Sequence, residues 1–192
     1  MSGAGHGHGA EHHSPENKRI ALLIAVLALV LAFSETLGKS AQTAGLSYNI
    51  EASNLWSFFQ AKTIRLTILR TAAEEAELTI DPADKTKREA IEKRVAQWRK
   101  TAERHDSEPD TGEGRKELSA RAKEAEAKRS RSLAAYHHYE VASAAVQIAI
   151  VLASAAIITG ISALIWAAIG LGVIGVVFCG IGFFAPLAVH LF

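Results

Sequence analysis

The sequence predicts an all-α membrane protein, with three transmembrane helices and a helical, coiled-coil-like soluble insert between the first and the second. Three observations carry that prediction. Residues 20–33 and 141–192 contain no Asp, Glu, Lys or Arg, although 21% of the chain is charged and 49% hydrophobic. All Lys and Arg except Lys18 and Arg19 fall in residues 39–131. That polar stretch is rich in Ala, Glu, Lys and Arg, which are strong helix formers, and its apolar residues recur at spacings of four and three, a helical period.

Residues 1–17 form a Gly- and His-rich tail with too little apolar content to fold. His6, His8, His12 and His13 on this tether suit a divalent metal such as zinc or nickel, because imidazole ligates both. Ordering flexible ligands weakens such binding, so a tail without a specific ligand is the plainer reading.

The first span covers 18–38. Its apolar run extends to about eighteen residues, or roughly 27 Å at 1.5 Å per residue, against a hydrocarbon core of about 30 Å. Lys18 and Arg19 before an apolar run also fit a signal peptide, but residues 33–39 supply no Ala-x-Ala exit, so the segment is expected to stay as an anchor. Glu35 near its far end is a candidate intramembrane polar residue. It can pair with Lys39 one turn on or, if the span is shifted, accept from Gln147.

The insert, 39–140, reads as three helices at about 47–78, 82–106 and 115–140. Leu55, Phe59 and Leu66 mark the inward face of the first, interrupted only by Lys62, and Ile91, Val95 and Trp98 mark that of the second. Asp81 suits an N-cap, Pro82 a first helical position and Asp84 the positive end of the helix dipole. Pro109, Gly112 and Gly114 mark an exposed loop. No breaker separates the third helix from the second span, so one helix from about Arg115 to Thr159 is expected to stand off the membrane. Faces this thin gain too little by burial to be ordered alone, so partners are expected: the other insert helices, then neighbouring subunits in a homo-oligomer.

The second span covers 141–161 and the third 163–185, joined by a stub of small and polar residues that permits only a tight reversal. Pro186 ends the third, and 186–192 form a short tail. Ala149, Ala153 and Gly160 on one helix and Ala168, Gly172 and Gly175 on the other are candidate packing positions, since small side chains let backbones approach closely in lipid. Gly170 to Gly175 satisfies a dinucleotide fingerprint in letter only. It lies inside a long apolar run with no acidic residue after it. Tyr136, His137, His138, Tyr139 and Glu140 lie where amphipathic rings favour the headgroup zone.

Orientation is pulled both ways. Lys18 and Arg19 favour a cytoplasmic N-terminus, whereas Arg121, Lys123, Lys128, Arg129 and Arg131 favour a cytoplasmic insert; the larger count prevails. The net charge of +1 gives no footprint for nucleic acid, and the lone Cys179 sets no redox compartment. No Walker loop, His-Glu-x-x-His or Gly-x-Ser-x-Gly elbow is present, so neither an enzyme nor a cofactor is expected.

The Gly- and His-rich start, the run Lys18-Arg-Ile-Ala-Leu-Leu-Ile-Ala-Val-Leu27, the segment Glu35-Thr-Leu-Gly-Lys-Ser-Ala-Gln42, the segment Asn54-Leu-Trp-Ser-Phe-Phe-Gln-Ala-Lys-Thr-Ile-Arg65 and the paired C-terminal apolar segments together resemble the domain-of-unknown-function 4337 family. The resemblance covers most of the chain and implies a multi-pass protein of the bacterial inner membrane, without implying any activity. The expected function is a non-enzymatic scaffold or accessory protein, self-associating through its insert and small-residue helices, with a membrane protein of unspecified identity as a further partner. The alternatives are a channel or transport subunit using Glu35 and Gln147, and metal binding by the tail.

Overall fold

A computed structural model describes residues 15–81 and 83–189. The four tail histidines and Pro82 lie outside the described residues. Among those described the chain is all helix: α1 (Pro15–Leu78), α2 (Lys85–Asp106), α3 (Arg115–Thr159) and α4 (Ser162–Phe184). Three of them, α1, α3 and α4, are long and apolar enough to cross a membrane.

α1 is one uninterrupted helix across residues 39–46, where the sequence reading leaves a gap. Small and polar residues weaken a helix there by at most about 1 kcal/mol per glycine. With helix established on both sides, propagation through the weak stretch needs no new nucleus.

α2 corrects a cap. It begins at Lys85, not 82, and its N-cap is Asp84, whose side chain accepts from the Lys87 N–H. Asp81 turns the chain instead, accepting from the Ala83 N–H at 2.9 Å. Asp81 closes a turn ahead of the helix, whereas Asp84 immediately precedes its first residue and satisfies the free N–H of the third.

α3 ends in a left-handed residue, Gly160, at φ 69°. This conformation costs side chains about 1 kcal/mol or more and glycine little, and it reverses the chain into α4 within two residues. Gly160 is exposed and a Cβ there would meet nothing within 4 Å. It is therefore a turn residue, not the packing residue that its spacing from Ala149 and Ala153 predicts.

The chain divides into two compact units. One joins the described residues 15–42 with 132–189. Its core is Ile20, Leu27, Val146, Ala149, Ala153 and Ala168, flanked by Leu23, Ile24, Ile150 and Ile165. Small residues let α4 close on its neighbours: a Cβ added at Gly172 would come within 2.7 Å of Leu27 Cδ2, and one at Gly175 would strike Val146. Outside that core the unit is apolar too. Leu22, Leu29, Val151 and Trp166 are more than half exposed, an outer surface that water does not favour.

The other unit, 43–131, packs the remainder of α1 against α2 and the start of α3. Ala52, Leu55, Leu118, Ala122 and Ala125 form its core, with Trp56 and Phe59 laid over it. Leu66, Ala73, Val95 and Ala102 are buried as well, while Ile91 and Trp98 are only partly so. Polar contacts hold the rim: Trp56 Nε1 donates to Glu126 at 2.8 Å, Arg99 pairs with Glu77 at 2.7 Å, and Arg129 donates to Asn49 at 3.0 Å.

Candidate functional site

A polar concavity of the first unit forms where α1 and α3 leave their uncharged runs. On α1, Ser34 follows directly on residues 20–33; on α3, Ser143 lies just inside the run that starts at 141. Between them is an open cup of about 350 Å³, at the small end of ligand-sized pockets. Its lining includes Ser34, Glu35, Gly38, Gln42, Tyr136 and Glu140, with Lys39, Tyr139 and Ser143 completing it.

Helical spacing explains the set. Ser34, Gly38 and Gln42 stand one turn apart along α1, and Tyr136, Glu140 and Ser143 do the same along α3. Gly38 makes the approach possible, since its buried backbone lies against Tyr139 and an added Cβ would sit 3.4 Å from Tyr139 Cβ. Glu35 and Gln147 are brought together, with Gln147 Nε2 donating to Glu35 Oε1 at 3.2 Å. Tyr136 donates to Glu140 Oε1 at 3.4 Å, and His137 Nδ1 stands 3.7 Å from the other oxygen. The Ser34 hydroxyl is fully buried and has no hydrogen-bond partner among the described residues, although helical Ser and Thr elsewhere in the chain, such as Thr36 and Ser154, donate back to the preceding turn. An unsatisfied buried hydroxyl costs about 1–3 kcal/mol, which makes Ser34 a ready contact for a bound polar group.

His138 departs from the expected belt of boundary rings. It is 1% exposed, and its Nε2 lies 3.1 Å from the Pro186 carbonyl. A carbonyl only accepts, so Nε2 carries the proton. Tyr139 is buried beside it, and Gly182 of α4 makes the room, because a Cβ there would stand 3.0 Å from the Tyr139 ring and 3.1 Å from His138 Cβ. Sequence spacing alone misses this latch. The signal that carries it is a glycine on α4 facing two adjacent rings on α3.

In the second unit the loop between α2 and α3 is clasped by acids. Glu117 accepts from the Ser107 hydroxyl at 2.7 Å and from the Glu108 N–H at 3.2 Å, and those bonds hold its carboxyl below the usual range. Burial raises the Asp106 carboxyl, but hydrogen bonds from Lys116 and Arg115 outweigh it and the net shift is downward. Lys62, the interruption in the α1 stripe, is buried and reaches Glu113 at 3.8 Å. Among the described residues no group of three or more His, Cys, Asp or Glu is placed to hold a metal ion.

These features define an all-helical protein with three helices of membrane-crossing length and composition, carrying a polar cup at the edge of their apolar runs. The chain belongs to the family described as Domain of unknown function (DUF4337), whose model matches residues 16–185. No curated protein and no solved structure matches it.

Proposed function

We propose that the protein is a non-enzymatic multi-pass component of the bacterial inner membrane that self-associates through its second unit, as a scaffold or accessory subunit. The bilayer reading is supported by the apolar exterior of the first unit, with Leu22 and Trp166 67% and 73% exposed. Lipid would cover such a surface at no cost, whereas water would not.

The observation that carries self-association is a second apolar face on α1. Leu55, Phe59, Leu66 and Ala73 face the core of the unit, and on the opposite side Ala61, Ile64 and Ile68 follow the same four-and-three rhythm, with Ile50 in register on that side beyond the polar Asn54 and Ser57. Ile50, Ile64 and Ile68 are each about 60% exposed. Burying one such isoleucine contributes on the order of 1–2 kcal/mol. Three from each of two chains then compete with an association cost of about 4–15 kcal/mol, which confinement to one membrane reduces. The small residues of α3 and α4 contribute less to this surface, since Gly172, Gly175, Ala149 and Ala168 are used within the chain.

The test is the mass of the full chain in mild detergent by light scattering. An oligomer that falls to monomer on Ile64→Glu with Ile68→Glu, at unchanged helicity, is the expected result. A monomeric wild type, or an oligomer indifferent to both substitutions, removes the proposal. A transport role is favoured by one observation, the Gln147 to Glu35 hydrogen bond, and requires Glu35-dependent flux in liposomes.

A further inference from the structure

We propose that the cup between α1 and α3 binds an ammonium group, that of an aminophospholipid headgroup. The choice of a cation comes from the lining. Glu35 and Glu140 bring two carboxylates to one concavity that holds a single Lys39. Gln147 and Tyr136, which donate to them, are neutral and orient the carboxylates without cancelling charge, and His137, 3.7 Å from the second Glu140 oxygen, is a cation only when protonated. An ammonium has three donors and no acceptor, so carboxylates, hydroxyl lone pairs and amide oxygens all suit it. An anionic guest would meet a net negative wall.

The second, independent observation is Ser34. Ser34 is 0% exposed and among the residues lining the cup, and its buried hydroxyl has no hydrogen-bond partner among the described residues. A guest at the floor of the cup supplies the missing bond. Tyr136 adds a phenol ring on the α3 wall, the kind of surface that favours ammonium groups.

Position selects a lipid over a free amine. The cup opens where the uncharged run 20–33 of α1 gives way to Ser34 and Glu35, and where the run of α3 begins at 141. If those runs span the bilayer, this level is the headgroup zone. Lys39 on the same wall suits the phosphate that follows an ethanolamine nitrogen, while acyl chains continue along the apolar helices. The lipid part rests on the membrane reading above; the ammonium part does not.

The experiment is native mass spectrometry of the full chain from mild detergent with added dioleoyl-phosphatidylethanolamine, dioleoyl-phosphatidylcholine or dioleoyl-phosphatidylglycerol. Retention of the ethanolamine lipid about tenfold above the glycerol lipid is expected, the ratio one charge-assisted hydrogen bond supplies, with the choline lipid below the ethanolamine lipid because its nitrogen has no N–H. Glu35→Gln with Glu140→Gln is expected to abolish the preference. Equal retention of the ethanolamine and glycerol lipids by the wild type overturns the proposal, as does a preference that survives the double substitution. The wild-type series needs no variant, so a misfolded double variant leaves the decision intact. Glycerophosphoethanolamine separates the sources. If it displaces the lipid at millimolar concentration, the cup takes the soluble ammonium group as well; if it does not, the acyl chains are part of recognition. Should the protein stay in the supernatant without detergent, the membrane reading fails, and titration with glycerophosphoethanolamine then decides the ammonium site alone.

Discussion

His138 on α3, 1% exposed, donates from Nε2 to the carbonyl of Pro186, two residues beyond the end of α4, at 3.1 Å. Proline ends a helix because it has no N–H to continue the ladder, and its own carbonyl must still find a donor. The ring that supplies one also fixes where the chain leaves α4. His138→Ala removes the donor and opens a cavity, at a cost of about 2–4 kcal/mol. We expect a lower melting temperature in detergent and faster hydrogen exchange confined to residues 185–189. Unchanged exchange there would show that the latch does not hold the segment.

The glycines of α4 divide into two kinds with opposite expected outcomes. A Cβ at Gly175 runs into Val146 and within 3.2 Å of the Ala142 carbonyl, whereas one at Gly170 or Gly180 meets nothing within 4 Å. Gly175→Ala therefore forces α3 and α4 apart, at about 1–3 kcal/mol. Gly180→Ala gains helix propensity of up to about 1 kcal/mol. Thermal unfolding of the two variants in one detergent checks this ordering, and equal melting temperatures would contradict it.

Lys62 and Glu113 make a further pair whose partners are unequal. Lys62 is 8% exposed, while the Glu113 side chain is 56% exposed and stands 3.8 Å away. The buried partner bears the desolvation, and a long contact to an exposed carboxylate returns little. Lys62→Met keeps a buried aliphatic stem and removes the charge, so it is expected to leave the second unit as stable or to raise its stability. Chemical denaturation followed by circular dichroism measures this; a loss beyond about 1 kcal/mol would mean that the ion pair matters more than its geometry allows.

The length of α3 was legible because no Gly or Pro stands between Arg115 and Thr159 and because Gly160 follows. The inward stripe of Leu55, Phe59 and Leu66 was legible from period alone. The union of two α1 segments was not, since propensity at 39–46 is poor and the helix is sustained by what flanks it. Side of burial was equally hidden for His138 and Tyr139: composition places such rings at a boundary, and only the facing Gly38 and Gly182 decide that they turn inward. Ser34 gave no signal in sequence, because a helical serine ordinarily satisfies itself one turn back. The contact of Glu35 with Gln147 was legible only as the alternative to pairing with Lys39 one turn on, since helical spacing alone leaves both within reach.

Acid is expected to loosen the second unit in two steps, and His105 sets the first. Burial disfavours its charged form, Lys62, Arg65 and Arg104 act in the same direction, and Glu108 opposes them; the imidazole is held below its ordinary 6.5. A folded-state value below the unfolded one means that the unfolded chain takes up the proton first. Stability is then full above about pH 6.5, falls as pH drops below it, and stops falling from this cause once the folded imidazole is also charged. Asp106, Glu108 and Glu117 are lowered as well, so their contribution is present above the ordinary carboxylate values of 3.8 and 4.5 and is lost as pH falls through the lower folded ones. In a Trp166→Phe background, Trp56 and Trp98 report on this unit alone, because both lie within 43–131. Their fluorescence in a urea series at pH 8, 6 and 5 is expected to show a falling midpoint. His105→Gln should flatten that change while leaving the step below about pH 4 in place. A wild-type midpoint that does not move between pH 8 and 5 would mean that the imidazole is as easily charged in the fold as outside it.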